Sequence, residues 1–283
     1  MTPLLDRINL TTPPTLADAL ALLGADRSAR PFAGGTDLMV LLEAGHLPEG
    51  SYVNLWGVDG LRGIEETPEA VTVGAMTTYT DMRRSHVLAR AYPLLPTAAS
   101  EIGGVATQNR GTIGGNIANA SPAADTPPAL LVYDAELELL TATASRRVPY
   151  DRFHQGYKKM DLRRGEIIAR IRLPHRTDGW RDYYRKVGTR RAQAISKVCL
   201  AGSIFMDGPL VRDVRIAVAS VAPTVVRCTR AEEALHGRPL SEDAIRGAQA
   251  ALLDDISPID DIRSTAEYRR RVAQNLLREC LRP

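Results

Sequence analysis

Cysteine is scarce: Cys199, Cys228 and Cys280 are the only three in 283 residues. They are odd in number, far apart and without CxxC spacing, which points to a reducing compartment rather than a disulfide framework and reads as buried apolar thiols. Three scattered thiols do not supply the four ligands of an ordinary iron-sulfur cluster, nor a zinc site, so the chain is expected to carry no cluster of its own. The five histidines, His46, His86, His154, His175 and His236, are isolated from one another and form no HExxH pattern, so none marks a catalytic or metal centre. An excess of one charge is also missing. With 36 basic residues against 33 acidic ones and a net charge of +3, neither a nucleic acid nor an anionic membrane surface is implied as a partner. No apolar run approaches the length that spans a bilayer, and Pro3, Asp6 and Arg7 interrupt the start, leaving no signal-peptide pattern. A soluble, cytoplasmic protein is the expectation.

What is present is ample apolar material for roughly two or three compact units. Thr15-Leu16-Ala17-Asp18 has the form of a helix start, with a hydroxyl at the cap and an acid three positions on. Leu16, Ala19, Leu20 and Leu23 then share a face, and Gly24 can close the helix. An extended piece at 29–33, a glycine loop, a helix at 38–43 and another extended piece at 52–55 predict a small parallel or mixed unit. Beyond Leu61 the pattern changes. Strands are expected at 61–65 and 70–75 about the Thr67-Pro68 turn, and helices at 82–91 and 95–102. Segments 129–133 and 135–140 are apolar with an alternating tail, and Ile167 to Leu173 alternates as a half-buried strand that Pro174 ends. The rest reads as another unit, with strands at 182–186, 196–205 and 211–219 and a hairpin turn at Met206-Asp207-Gly208-Pro209. Helices follow at 241–253, capped by Ser241, and at 264–281.

Two glycine doublets interrupt these patterns. Ala106 to Asp125, ATQNRGTIGGNIANASPAAD, holds Gly114-Gly115 with Asn109, Thr112, Asn116, Asn119 and Ser121, and has neither a helical nor an alternating apolar period. Such a stretch builds no core by itself. Upstream, Pro31-Phe32-Ala33-Gly34-Gly35-Thr36-Asp37 leads into the helix expected at Leu38. Glycine lacks a Cβ and permits positive φ, so consecutive amides can turn inward on an anion, and a helix N-terminus favours phosphate further. One isolated doublet is as readily a tight turn or a close strand crossing. The pair in these settings predicts one diphosphate held between two loops.

Three short motifs carry a resemblance: AGGTD at Ala33 to Asp37, TIGGN at Thr112 to Asn116 and ASPAAD at Ala120 to Asp125. A fourth, PIDDIRSTAEYR at Pro258 to Arg269, follows in order. Together they resemble the FAD-binding subunit of the molybdenum hydroxylases, the family of bacterial xanthine dehydrogenases, aerobic carbon monoxide dehydrogenase and related aldehyde and N-heterocycle dehydrogenases. The likeness runs over almost the whole chain. It implies an α+β fold, with a two-lobed FAD-binding domain of the vanillyl-alcohol oxidase-like (PCMH) type at 1–176, its smaller lobe at 1–58 and its larger, mostly antiparallel lobe at 59–176. A C-terminal α+β domain at 177–283, with a three-stranded antiparallel sheet and helices, would close one side.

Carried over residue by residue, the resemblance implies cofactor contacts from Arg30, Pro31, Phe32, Ala33, Gly34, Gly35, Thr36 and Asp37. A second loop of Thr112, Ile113, Gly114, Gly115 and Asn116 would add to them. Ile102 stands at an apolar flavin contact, Asp125 matches an acid bonded to the cofactor, and Ile168 and Lys186 match positions near the ring. FAD would be bound non-covalently. The molybdenum cofactor and the [2Fe-2S] clusters would belong to a large and a small partner subunit, in a heterotrimer able to dimerise. Electrons would leave for NAD+ or another acceptor, and the chemistry on the organic substrate would take place in the partner.

Physical roles follow from the residue types. A buried amide without an acceptor costs about 1–3 kcal/mol, and diphosphate oxygens supply acceptors; Thr36, Thr112 and Asn116 add short side-chain hydrogen bonds. Asp125 is either a cofactor acceptor or a solvent-facing turn acid before Pro127. Lys186 either stabilises negative charge on a reduced flavin or is a solvated strand lysine among Arg185, Arg190, Arg191 and Lys197. Tyr183 and Tyr184 either cover a flavin face or pack in a core. Two rival functions meet obstacles. A self-contained flavin oxidase would usually need a His or Cys tether at the loops, and neither loop has one; a non-catalytic nucleotide-binding scaffold predicts damaged loops, and both are intact. The cysteine-bearing insert of relatives acting on aromatic CoA thioesters is absent, which argues against that branch.

Overall fold

The first helix starts where its cap predicts. In the computed structural model, which describes residues 7–26, 28–190 and 193–282, Thr15 accepts from the Asp18 amide at the head of α1 (Leu16–Ala25), and Ala19, Leu20 and Leu23 turn inward. Pro3, Asp6 and Arg191 lie outside the described residues. α1 joins β1 (Ile8–Thr11) to β2 (Arg30–Phe32), and α2 (Leu38–Glu43) joins β2 to β3 (Gly50–Asn54). The strands pair in the order β1-β3-β2, all parallel, because each crossover returns the chain to the same end of the sheet. The buried face of α1 meets Val53, Leu55 and Leu61, together with Ile167 and Ala169 of the second sheet.

That second sheet is antiparallel. Its strands are β4 (Ile64–Glu66), β5 (Ala70–Gly74), β6 (Glu136–Leu140), β7 (Ser145–Pro149) and, beyond a small hairpin of β8 (His154–Gly156) and β9 (Lys159–Met160), β10 (Ile167–Pro174). They lie in the order β4-β5-β10-β6-β7. Between β5 and β6 the chain forms α3 (Tyr79–Arg84), α4 (His86–Ala91), α5 (Leu94–Ser100), α6 (Val105–Arg110), α7 (Ile113–Asn119) and α8 (Pro127–Val132). One expectation changes here. The single helix foreseen at 82–91 is broken at Ser85, whose hydroxyl caps α4 through the Leu88 amide. The apolar segment after Pro128 is helix, and all six residues of α8 are buried; a short helix buried all round has no apolar face to give it a period.

The third sheet holds β11 (Trp180–Val187), β12 (Val198–Asp207), β13 (Leu210–Ala219) and a two-residue β14 (Val226–Arg227), in that order. Its three long strands are the three expected; β14, too short to show any period, adds a fourth. Alternation along β12 and β13 divides two cores. Cys199, Ala201, Ala217 and Ala219 point into the core shared with α8, whereas Leu200, Ile204, Ile216 and Val218 point toward α9 (Thr229–Glu233), α10 (Glu242–Asp255) and α11 (Ala266–Leu281). A Cβ on Gly202 would lie 2.4 Å from Cys280 Sγ, so the missing side chain lets α11 settle on β12. Gly202→Val is expected to cost about 1–3 kcal/mol through overpacking and to lower Tm by several degrees; an unchanged melt followed by circular dichroism would show that α11 does not rest there.

The PIDDIRSTAEYR segment owes its form to this unit. Asp260 accepts from the Ala266 amide at the start of α11, while Asp261 accepts from the Arg263 and Ser264 amides and pairs with buried Arg269 at 2.6 Å. Among the described residues, no helix is long and apolar enough to cross a membrane.

Candidate functional site

β2 delivers the first glycine doublet to the edge of α6. Gly35 takes φ +76°, and a Cβ there would lie 2.7 Å from the Phe32 ring; a side chain would meet both strain and an aromatic neighbour. Gly34 is needed for another reason: its Cβ would fall 1.8 Å from the Arg110 carbonyl oxygen. Arg110 is itself anchored, its guanidinium stacked 3.6 Å from the Trp56 ring centroid. The amides of Gly34, Gly35, Thr36 and Asp37 donate to no acceptor among the described residues, and Thr36 and Asp37 are exposed. A run of amides open in this way suits the oxygens of a diphosphate. Arg30 uses its guanidinium on the Glu49 carbonyl, 3.2 Å away, and exposed Pro31 lines a separate cleft with Asp26, Arg163 and Glu166.

The second doublet works differently from its sequence-based expectation. Gly114 and Gly115 lie inside α7, neither at positive φ. The amides there already have acceptors: Ile113 donates to Thr77 O at 3.1 Å, Gly114 to Ala75 O at 2.8 Å, Gly115 to Thr112 Oγ1 at 3.1 Å and Asn116 to Thr112 O at 3.0 Å. What these glycines supply is closeness. A Cβ on Gly114 would sit 2.5 Å from the Ala75 Cβ, and one on Gly115 would stand 3.6 Å from the Ala33 Cβ, so the two doublets meet. Thr112 caps the helix, Ile113 is buried beneath it, and Asn116 accepts from Thr126 Oγ1 at 2.7 Å. Asn119, a turn further on, donates to Asp37 at 3.3 Å.

Thr126 leads to a buried charge pair. Lys186 Nζ lies 2.7 Å from Asp125 Oδ2 and 2.8 Å from the Glu101 carbonyl, and the Ser196 hydroxyl donates to Asp125 Oδ1. Asp125 is 9 % exposed, so it is no solvent-facing turn acid, and Lys186 is no solvated strand lysine. Burial pushes the Asp125 carboxyl above its ordinary value, against the opposing pull of Lys186 and Ser196. Strand alternation splits the tyrosines. Tyr184 packs against the main core and donates to the Asp125 carbonyl at 3.0 Å, while Tyr183 packs against the C-terminal core.

Ile102 and Ile168 both belong to the main core, Ile102 half-buried and Ile168 nearly enclosed. The Ile102 carbonyl accepts from Gln108 at 2.9 Å, which ties the loop after α5 to α6. Several site residues were not foreseen, Ser196, Thr126, Gln108 and Lys158 among them. Lys158 Nζ reaches Asn119 Oδ1 at 2.6 Å. No pattern marks these side chains, because their roles come from partners that folding, and not local spacing, brings to them.

Comparison with known proteins follows the same lines. Residues 6–176 match the family described as the FAD binding domain in molybdopterin dehydrogenase, and residues 183–283 match the CO dehydrogenase flavoprotein C-terminal domain. The chain is 30% identical to the xanthine dehydrogenase FAD-binding subunit of Escherichia coli O157:H7, over 94% of this chain and 92% of that one. It is also 30% identical to the carbon monoxide dehydrogenase medium chain of Hydrogenophaga pseudoflava, over 97% and 96% of the two chains. A solved structure of carbon monoxide dehydrogenase from that organism, lacking the Mo-pyranopterin moiety of its molybdenum cofactor, matches with a TM-score of 0.93 over 96% of this chain and 95% of that one, at 30% identity. Quinoline 2-oxidoreductase from Pseudomonas putida 86 gives 0.90 at 25% identity, over 97% and 95% of the chains. Matched in both segments and along nearly its whole length, the chain belongs to the molybdenum hydroxylase family as an FAD-binding medium subunit, a component of an oxidoreductase.

Proposed function

We propose that this subunit relays electrons, taking them from [2Fe-2S] clusters of a small partner and passing them to NAD+ or another acceptor, while a large molybdenum-cofactor subunit oxidises the organic substrate. The observation that carries the reading is the run of open amides at Gly34 to Asp37, set against α7 and joined through Thr126 to the buried pair of Asp125 and Lys186. When bound, FAD supplies the ability to take and give electrons singly or in pairs. The chain supplies placement. Gly34, Gly35, Thr36 and Asp37 hold the diphosphate, with Arg30, Pro31, Phe32 and Ala33 shaping the approach. Thr112, Ile113, Gly114, Gly115 and Asn116 form a close-packed wall beside it. Ile102 presents apolar surface backed by the nearly enclosed Ile168, and Asp125 accepts a cofactor hydrogen bond. Lys186, paired with Asp125, acts as an oriented donor near the ring more than as a free cation, since its charge is offset.

In this reading the FAD-binding domain spans 1–176, in lobes of 1–58 and 59–176, and the C-terminal domain 177–283; the protein works in the cytoplasm within a heterotrimer that can itself dimerise. Titrating the purified chain with FAD tests the cofactor step, with stoichiometric uptake and quenched flavin fluorescence as the expected result; no uptake would overturn it. Dye reduction by the co-expressed complex but not by the isolated chain tests the relay. Substrate-dependent reduction by the isolated chain would overturn it.

A further inference from the structure

An unbroken run of hydrogen bonds leads from the C-terminal unit to Asp125. Asp261 pairs with Arg269, Arg269 Nη1 donates to the Ser220 carbonyl at 2.7 Å, and Ser220 Oγ donates to the Ser196 carbonyl at 2.9 Å. The Ser196 hydroxyl then donates to Asp125 Oδ1. The Ser220 amide closes a second link, to Pro122 O at 2.8 Å, three residues before Asp125. Ser196, Ser220 and Arg269 are all buried. Ser220 is held at φ +68°, a left-handed backbone uncommon for a serine.

We propose that Ser196 is a positioning residue for the FAD site, orienting the Asp125 carboxylate, and that the pair of Asp261 and Arg269 holds Ser196 in place through Ser220. This rests on the FAD reading above. One carboxylate oxygen is held by Lys186 and the other by Ser196, so the carboxylate plane is set and its remaining lone pairs point in defined directions. Without the hydroxyl, the group regains rotation and its charged form loses a hydrogen bond. The ionisable groups facing Asp125 come from several elements: Lys186 on β11, Glu101 after α5, Tyr79 on α3, Tyr184 on β11 and Cys199 on β12.

The test uses the full chain and FAD. Ser196→Ala is expected to weaken FAD binding roughly ten-fold near neutral pH, the loss of one hydrogen bond to a charged group. It should also move the acid-side loss of affinity to higher pH, since Asp125 then protonates more readily. Ser196→Thr, which keeps the hydroxyl, should restore both the affinity and the profile, an outcome a purely structural role would not produce. Ser220→Gly suits the left-handed backbone, removes the next hydroxyl and should give a smaller shift in the same direction. It also serves if Ser196→Ala does not fold. Parental affinity and pH profile in Ser196→Ala or in Ser220→Gly, with FAD binding lost in Asp125→Asn, would overturn the inference and leave the FAD reading standing. A parental chain that takes up no FAD would bring both down.

Discussion

Gly34→Ala is expected to raise the FAD dissociation constant about a hundred-fold, equivalent to losing two or three amide hydrogen bonds of about 1 kcal/mol each. The added methyl would stand 1.8 Å from the Arg110 carbonyl oxygen and 2.6 Å from its carbon. These are backbone atoms with no rotamer to change, and stacking on Trp56 holds the arginine above them. The loop must therefore move toward its exposed side, carrying the amides of Gly34 to Asp37 out of line. Tm should fall little, because an exposed loop relaxes without opening a core. Gly115→Ala is the informative contrast: its methyl would meet Thr112 Oγ1 at 2.9 Å and the Ala33 Cβ at 3.6 Å, and it should weaken binding less. Fluorescence titration of both variants decides the matter, and Gly34→Ala binding within a few-fold of the parent would show that these amides do not anchor the cofactor.

The second large effect belongs to Lys186→Met, which is expected to destabilise the fold by about 3–5 kcal/mol and lower Tm by roughly 10 °C. Asp125 and Lys186 side chains are 12% and 6% exposed, so removing the lysine leaves a carboxylate with little water and one remaining side-chain donor, Ser196. The penalty should depend on pH in a definite sense. Burial raises the folded Asp125 pKa above its unfolded value, with Lys186 and Ser196 pulling the other way. The native state thus keeps the proton longer, and the resulting stabilisation is full below the unfolded value, about 4, and is lost as pH rises through the folded one. Without Lys186 the folded value climbs further. The variant should accordingly melt lowest at neutral pH and recover on acidification, and adding Asp125→Asn should restore part of the loss. A deficit equal at all pH values, and untouched by the asparagine, would mean that the pair is not the source.

The three units illustrate why some structure was legible and some was not. α1 follows from its cap and apolar face, and β2 and β3 from short extended pieces set off by turn residues, all acting over a few positions, whereas the outer strand β1 gave no such signal. β12 and β13 follow from apolar runs that cores on both faces require, set about the hairpin turn at Met206 to Pro209. α7 escaped because glycine and asparagine weaken a helical signal, and only packing on Ala75 with the Thr112 cap makes a helix there the better outcome. The break at Ser85 escaped for a related reason, since the hydroxyl that caps α4 also fits within a continuous pattern.

At the site the division is sharper. The glycines and Asp125 stand in motifs and Lys186 enters through the resemblance, but none of this gave their duties. Which doublet offers open amides depended on Ala75, Thr77 and Thr112 answering those of α7, and the pairing of Asp125 with Lys186 and Ser196 spans 61 and 71 positions. Sequence alone determined the family and the order of the units, because these are carried by local patterns and short motifs. Tertiary structure decided which amides stay free, which charges neutralise each other and which hydroxyl holds the carboxylate, because hydrogen bonding and burial act through space between groups that the chain keeps far apart.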